Sequence, residues 1–520
     1  MSRPSLASGM PWPLAVLLSA LWLVGRARAG FIAELDPSVE YDYVIVGSGA
    51  GGSPLAARLA MYGHRVLLLD AGSDQTRSIQ YRAPLLSLAA SEFPAHDVEL
   101  LSPSLRCATL KLGAMVMAAA SAAGQGVNKY FMDVAGLAQV FFRDLNSGFG
   151  NRDRREGMFQ MPLAIRDGVR SGPVDFLNQV LAERTAAGRE RYRLDIMPRH
   201  PRHAPCTRAD PRAPTGRYSR LPPSRLVRAR REVILSGGAF NSPQLLKLSG
   251  IRAPRRAAPP RHPRPRRPAG RRHNLQDRYE NTVVTSSAKN FTLTERCKLQ
   301  DGHARPVPAE LAGQAQRSSV AENEIPDLFI AGSIGHFITG YFPGYSHHAG
   351  STRATGPGSS SRRTTRNRGG TVHLRSADPR DTPIINFNYF EAGSNDRGQA
   401  EKDARALAEG VERVSDKAGM EDWCPQRGLG PPRLLHESIG SNTTAAPSST
   451  LASSASAAST ACASSTPASS PKSPGYFIVL PVYMISEKAA DVIHDDARRD
   501  RRDRGDRGDR RGAFRGAYRE

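Results

Sequence analysis

The sequence predicts an α/β protein: a parallel sheet that binds a nucleotide at its edge, joined to a second, α+β domain built on an antiparallel sheet. Three observations predict it. The stretch YDYVIVGSGAGGSPLAARLAMYGHRVLLLDAG, residues 41–72, reads as strand, glycine turn, amphipathic helix and second strand closed by an acid. A second strand, turn and helix follows in REVILSGGAFNSPQLLKLSGI, residues 231–251. Last, GTVHLRSADPRDTPIINFNYF, residues 370–390, reads as two strands about an Asp-Pro turn, the pattern of an antiparallel sheet.

In the first stretch the buried strand covers 43–46, the helix 53–62 and the second strand 65–69. Gly47, Gly49 and Gly52 fall at GxGxxG spacing. The first glycine allows the tight turn, the second lets backbone approach a pyrophosphate, and the third lets helix lie close on strand. Asp70 ends the second strand, where a carboxylate can accept both hydroxyls of an adenosine ribose. The helix N-terminus beside it offers N–H groups and partial positive charge to the phosphates. The module is therefore Rossmann-like.

Before it, Arg3 precedes an apolar run over 13–24 that ends in Ala27-Arg28-Ala29. This is the pattern of a secretory signal peptide over 1–29, and the run is short for a membrane span. Two glycosylation sequons, at Asn290 and Asn442, agree with export. Five cysteines (Cys107, Cys206, Cys297, Cys424, Cys462) carry no CxxC pairing, so neither a zinc site nor a dense disulfide framework is indicated, and one bridge at most is expected. No metal site is indicated.

The chain of 520 residues has a formal charge of +23, and only nine of its 72 basic residues are lysines. The arginines lie in proline-rich runs without periodicity or interleaved aromatics, which argues against a nucleic-acid surface.

Past the first module, 73–112 is loop-rich and 118–128 is a small-residue run. From Met158 a short strand, a turn at Asp167-Gly168 and a helix opened by Pro173 follow, with Asp175 in the first helical turn, where its charge complements the helix dipole. In the second module 233–235 is a strand, Gly237-Gly238 a turn, and Ser242-Pro243 the cap of a helix over 244–248. Strands are expected within 273–286 and at 327–332, and a helix after 400. A Ser/Ala/Thr tract fills 438–470, and PGYFIVLPVYMISEKAADVI (474–493) enters a helix over 485–493.

Three motifs resemble the glucose-methanol-choline (GMC) oxidoreductase family, in particular its secreted fungal members. They are VIVGSGAGGSPLAARLA with LLLDAG, then SGGAFNSPQLLKLSG, then PVYMISEKAADVI. Shorter pieces such as NLQDR and DPRDTPIINFNYF agree with it.

The resemblance implies a discontinuous FAD-binding domain (41–130, 231–285 and 472–495) and a substrate domain (150–200 and 286–437). It implies FAD as cofactor, an alcohol or sugar as substrate, oxidation of a CH-OH group by hydride transfer to flavin, and oxygen or a quinone-type compound as electron acceptor. Matched residue by residue, Gly47, Gly49, Gly52 and Asp70 hold the ADP half, Gly238 and Ser242 lie against the cofactor, and Asn128 echoes the end of the family's first signature. An extracellular location, no nucleic-acid partner and no stable membrane span complete the expectation.

The catalytic residue is unknown. Where the family has a histidine loop before its last helix, this chain has the Ser/Ala/Thr tract, and the family's second catalytic position falls at Phe477, which cannot move protons. His347-His348 stands far upstream. A catalytically inactive FAD-binding remnant is therefore the alternative function.

Segments 199–230, 252–272, 438–471 and 496–520 read as aberrant or disordered. Arg252 begins a run with nine arginines and no carboxylate before His273, at a point where the second signature expects glycine. A shifted reading frame accounts for such breaks: GC-rich codons for Cys462 to Pro471, read one base earlier, give Leu-Arg-Val-Val-Asp-Ala-Ser-Val-Phe-Pro, the family's usual text before PGYFIVLP. Translation of the coding locus in all three frames is expected to reveal a contiguous His-Gly-Thr-type loop. Its absence from every frame would show a diverged chain with real insertions.

Overall fold

The computed structural model describes residues 30–36, 38–82, 154, 156–160, 164–166, 169–198, 206–207, 217–219, 226–249, 275–277, 279–284, 312–321, 325–334, 357–363, 370–387, 398–414, 438–439, 462–464 and 478–516. Residues 1–29, Asn128, both sequons, His347, His348 and Phe477 lie outside them.

A largely parallel sheet organises the first half of the fold. Its central strands run, side by side, Leu194–Met197, Val66–Leu69, Tyr41–Val46 and Leu226–Leu235, all parallel. In chain order that is third, second, first, fourth, the order in which a doubly wound nucleotide-binding sheet reverses direction beside its first strand. Gly30–Phe31 adds one parallel edge, and Cys462–Ser464 runs parallel to Leu226–Leu235. Arg217–Ser219 and Cys206–Thr207 extend it antiparallel.

Apolar side chains point to both faces of these strands because both faces are covered. Tyr43, Ile45, Val66, Leu68, Leu194 and Ile196 face one layer. That layer is formed by the helices Gly52–Met61, Pro173–Ala182 and the start of Val479–Gly516, through Leu55, Leu59, Leu177, Val180, Ala489 and Ala490. On the opposite face Val44, Leu67, Leu69, Val233 and Leu235 pack against Leu245 of the helix Gly238–Leu248. Each fully buried aliphatic side chain contributes about 1.5–3 kcal/mol of transfer free energy, so these two layers supply most of the driving force here.

Local chemistry sets the helix starts. Pro173 takes the first position of its helix, where its missing N–H costs nothing, and the Asp175 carboxylate accepts the Gly172 N–H at 2.6 Å. The sequence expectation of a charge in the first turn is thus met by a direct cap. The second module differs from expectation, because its helix begins at Gly238 and holds Pro243 in its interior. Gly238, at φ +81°, turns the chain into the helix at once, so Ser242 is a helical residue and not a cap.

Six antiparallel strands form a second sheet, in the order Ser438–Ile439, Tyr279–Val284, Pro357–Arg363, Leu328–Ile334, Ala312–Gln316, Gly157–Gln160. Tyr279–Val284 belongs to this sheet, whereas the sequence expectation places 231–285 wholly in the nucleotide domain. The Asp-Pro hairpin, Thr371–His373 with Ile384–Asn386, is a separate ribbon. It rests on the helix Gly238–Leu248 through Phe240, Val372, Ile385 and Phe387. There Gln244 Nε2 donates to the Asp381 carbonyl at 2.8 Å and Lys247 Nζ to the Val372 carbonyl.

Parts of the arginine-rich tracts are regular. Residues 226–230 form the first half of the Leu226–Leu235 strand, where Arg230 pairs with the buried Asp42 at 2.5 Å. The terminal helix continues from Val479 to Gly516, well beyond the expected 485–493.

That extension places Asp496 and Asp500 near Glu232. Burial lifts the Glu232 carboxyl to about 7; Asp496 and Asp500 add to the rise and Arg231 opposes it. The folded chain therefore keeps a proton between its ordinary value of 4.5 and about 7 that the unfolded chain releases, so stability falls as pH rises through that window. Glu232→Gln is expected to flatten this slope and to raise stability at pH 8 by about 3 kcal/mol, read by urea unfolding at pH 5 and pH 8.

Candidate functional site

At the carboxyl edge of the parallel sheet the Tyr41–Val46 strand runs into the glycine loop. Gly47 sits at φ +105°, a conformation that L side chains rarely adopt. Its N–H donates to the Leu69 carbonyl at 2.7 Å, which ties the loop to the neighbouring strand. A Cβ on Gly47 would overlap the Ser236 carbonyl, and one on Gly52 would overlap the Gly47 carbonyl while standing 3.1 Å from the Ser236 Cβ. Around Gly49 nothing among the described residues lies within 4 Å of such a Cβ. Two of the three glycines are thus fixed by the protein's own packing, and the second faces open space where a ligand can approach its backbone.

Asp70 closes the other side. Its Oδ2 accepts the Ser48 N–H at 2.6 Å and the Ser48 hydroxyl at 2.7 Å, and its Oδ1 accepts the Gly72 N–H at 2.7 Å. A carboxylate has about four acceptor positions, so one remains for a ribose hydroxyl. Asp70 is therefore both a loop anchor and a candidate ribose acceptor. The sequence carried no sign of the first role, because Ser48 reads as a filler between two glycines.

Three more serines frame the loop without having been singled out. Ser53 donates its hydroxyl to the Ser48 carbonyl at 2.5 Å. Ser236 follows the Leu226–Leu235 strand, donates its N–H to the Val46 carbonyl at 2.7 Å and presses on Gly47 and Gly52. Ser486, on the terminal helix, donates to the Gly51 carbonyl at 2.6 Å. A small polar residue after a buried strand was the available signal for Ser236. Nothing local marked Ser486.

The second module meets the first at this edge. Gly237 N lies 2.9 Å from a Cβ on Gly47, so the turn that opens with Ser236 and Gly237 is stacked directly on the glycine loop. In the helix that follows, Gly238 has open space around its Cβ position among the described residues, and Ser242 is fully buried, its hydroxyl without a hydrogen-bond partner among them. A buried hydroxyl without a partner costs about 1–3 kcal/mol unless a ligand or water satisfies it. The Gly-rich cradle, the open face at Gly49 and the helix N-terminus of Gly52–Met61 together fit the diphosphate of a dinucleotide. Asn128 is outside the described residues. Among the described residues no cluster of metal-ligating side chains occurs.

Parts of the chain match known proteins. The family model for an NAD(P)-binding Rossmann-like domain matches residues 45–84, and that for GMC oxidoreductase matches 196–280. The chain is 32% identical over 189 residues to oxygen-dependent choline dehydrogenase of Brucella ovis, a match covering 32% of this chain and 31% of that protein. Residues 196–280 thus resemble the GMC oxidoreductase family.

Mitochondrial choline dehydrogenase of Mus musculus is 32% identical over 178 residues, covering 31% of this chain and 28% of that protein. The alignment to these curated relatives thus spans about a third of their length. A solved variant of formate oxidase from Aspergillus oryzae RIB40 superposes with a TM-score of 0.60 at 16% identity, covering 89% of this chain and 99% of that one. Such a likeness shows a common fold.

The packing predicts different fates for the glycines. Gly52→Ala is expected to lower the thermal midpoint by several degrees, because helix and strand must separate. Gly49→Ala is expected to keep the midpoint of the ligand-free protein and to weaken dinucleotide binding at least tenfold, both read by thermal shift with and without ligand.

Proposed function

We propose that this chain is an FAD-dependent oxidoreductase of the GMC type that oxidises a CH-OH group of a small alcohol or sugar. The observation that carries the reading is the stacking of the second module on the glycine loop, with Asp70 at one end of the cradle and the unsatisfied Ser242 hydroxyl in the adjoining helix. Gly47, Gly49 and Gly52 would hold the diphosphate, Asp70 the adenosine ribose, and Gly238 and Ser242 the neighbouring part of the cofactor. The bound flavin supplies a hydride acceptor. The chain's part is to hold the dinucleotide, to seat the substrate hydroxyl and to take its proton.

The antiparallel sheet is the natural wall of the substrate side, because it is the second layered unit of the fold. Oxygen or a quinone is the electron acceptor in this reading, in keeping with relatives named oxygen-dependent choline dehydrogenase and, in Drosophila melanogaster, glucose dehydrogenase [FAD, quinone]. The apolar run before Gly30 supports export. Among the described residues no helix is long and apolar enough to cross a membrane.

A second reading is favoured by one observation. The place of the family's histidine loop holds a Ser/Ala/Thr tract without histidine, so a flavin-binding remnant without turnover competes with the enzyme.

Purification separates the two. A yellow protein whose flavin absorbance bleaches anaerobically on adding alcohols or sugars is the expected result for the enzyme. Yellow protein that no such donor bleaches establishes the remnant, and protein that takes up no FAD overturns both.

A further inference from the structure

We propose that Ser486 is a positioning residue for the phosphate-binding loop, acting through the Gly51 peptide group. This rests on the reading of the glycine loop as a dinucleotide site. Ser486 is fully buried, and its hydroxyl donates to the Gly51 carbonyl at 2.6 Å across 435 residues of sequence. Gly51 is the N-cap of the Gly52–Met61 helix and has no side chain with which to cap it. In a trans peptide the C=O and the following N–H point in opposite directions. Holding the Gly51 carbonyl toward the terminal helix therefore turns the Gly52 N–H to the other side, where the first N–H groups of the helix meet an anion.

The bond is not needed merely to dock the terminal helix, because neighbouring contacts already do that. Val479 and Val482 pack against Ala50. Beyond them Glu487 accepts from Arg58 Nε at 2.7 Å, Asp491 from the Tyr62 hydroxyl at 2.6 Å, and the His64 and His494 rings share a hydrogen bond at 3.0 Å. Partners rise in number together along both helices, so the two run in the same direction, with Ser486 at the end nearest the loop. Glu487 thus serves as an internal control, since it fastens the same helix without touching a loop peptide.

The test uses the full chain in three forms: wild type, Ser486→Ala and Glu487→Gln. Hydrogen exchange of peptides covering 47–56 is measured on ligand-free protein, and FAD affinity by quenching of flavin fluorescence. Ser486→Ala is expected to speed loop exchange about fivefold and to weaken FAD binding by a similar factor. Glu487→Gln is expected to leave both at wild-type values. Unchanged loop exchange in Ser486→Ala, or an equal response in Glu487→Gln, overturns the proposal. If loop exchange responds to Ser486→Ala alone but wild type binds no FAD, the positioning role stands and the dinucleotide reading falls. Should Ser486→Ala fail to fold, Ser486→Cys carries the same comparison, with a thiol of similar size and weaker donor strength.

Discussion

Backbone lying on backbone at Gly47, Gly52 and Ser236 is the constraint on which the rest of this structure depends. Two strands, Tyr41–Val46 and Leu226–Leu235, and one helix, Gly52–Met61, converge there with no room for a single added carbon. Because the contact is made by main chain, it fixes the direction in which the helix leaves the sheet. It also holds the second module against the loop, so that a buried hydroxyl at Ser242 and the open face at Gly49 belong to one edge of one sheet. An added methyl group would be cheap almost anywhere on a surface loop. Here it would push apart the layers whose burial stabilises the domain.

The same edge explains why segments hundreds of residues apart form one site. The loop is built by residues 41–72, roofed by Ser236 and Gly237, and tied from behind by Ser486 of the terminal helix. The polar side chains that tie the loop itself, those of Ser48, Ser53 and Ser486, are short, and their partners are carbonyls or the Asp70 carboxylate. Short side chains lose little rotamer entropy when held, so such ties fix a loop at small cost. The price of the design is fragility to sequence damage, because each distant segment completes a layer that the others cannot cover alone.

The arginine-rich tracts show that tension. Arg230 finds a buried partner in Asp42, held also by the Arg65 N–H at 2.8 Å, and burial of that carboxyl is outweighed so that it stays below its usual range. Arg170, outside those tracts, is the contrasting case: it is buried at 4% exposure, its guanidinium lies over the Tyr81 ring at 5.9 Å from the centroid with no hydrogen-bond partner among the described residues, and burial lowers its affinity for a proton. A buried guanidinium faced by a ring but by no carboxylate or carbonyl is a costly feature for a fold to carry.

What the sequence determined by itself was local and steric. The glycine spacing, the two-sided apolar strands, Pro173 with Asp175 and the antiparallel hairpin were legible because each is dictated by neighbours within a few residues. Asp70 was legible as an acid closing a strand. Its bonds to Ser48 and Gly72 were not, because a serine between glycines carries no pattern of its own. Tertiary structure alone decided that Ser236 would press on Gly47, that Gly238 rather than Ser242 would open its helix, and that Ser486 would reach Gly51. Those depend on which surfaces meet after the chain has closed. A contact spanning 435 residues leaves no periodicity to read, since its partners are joined by packing and not by sequence.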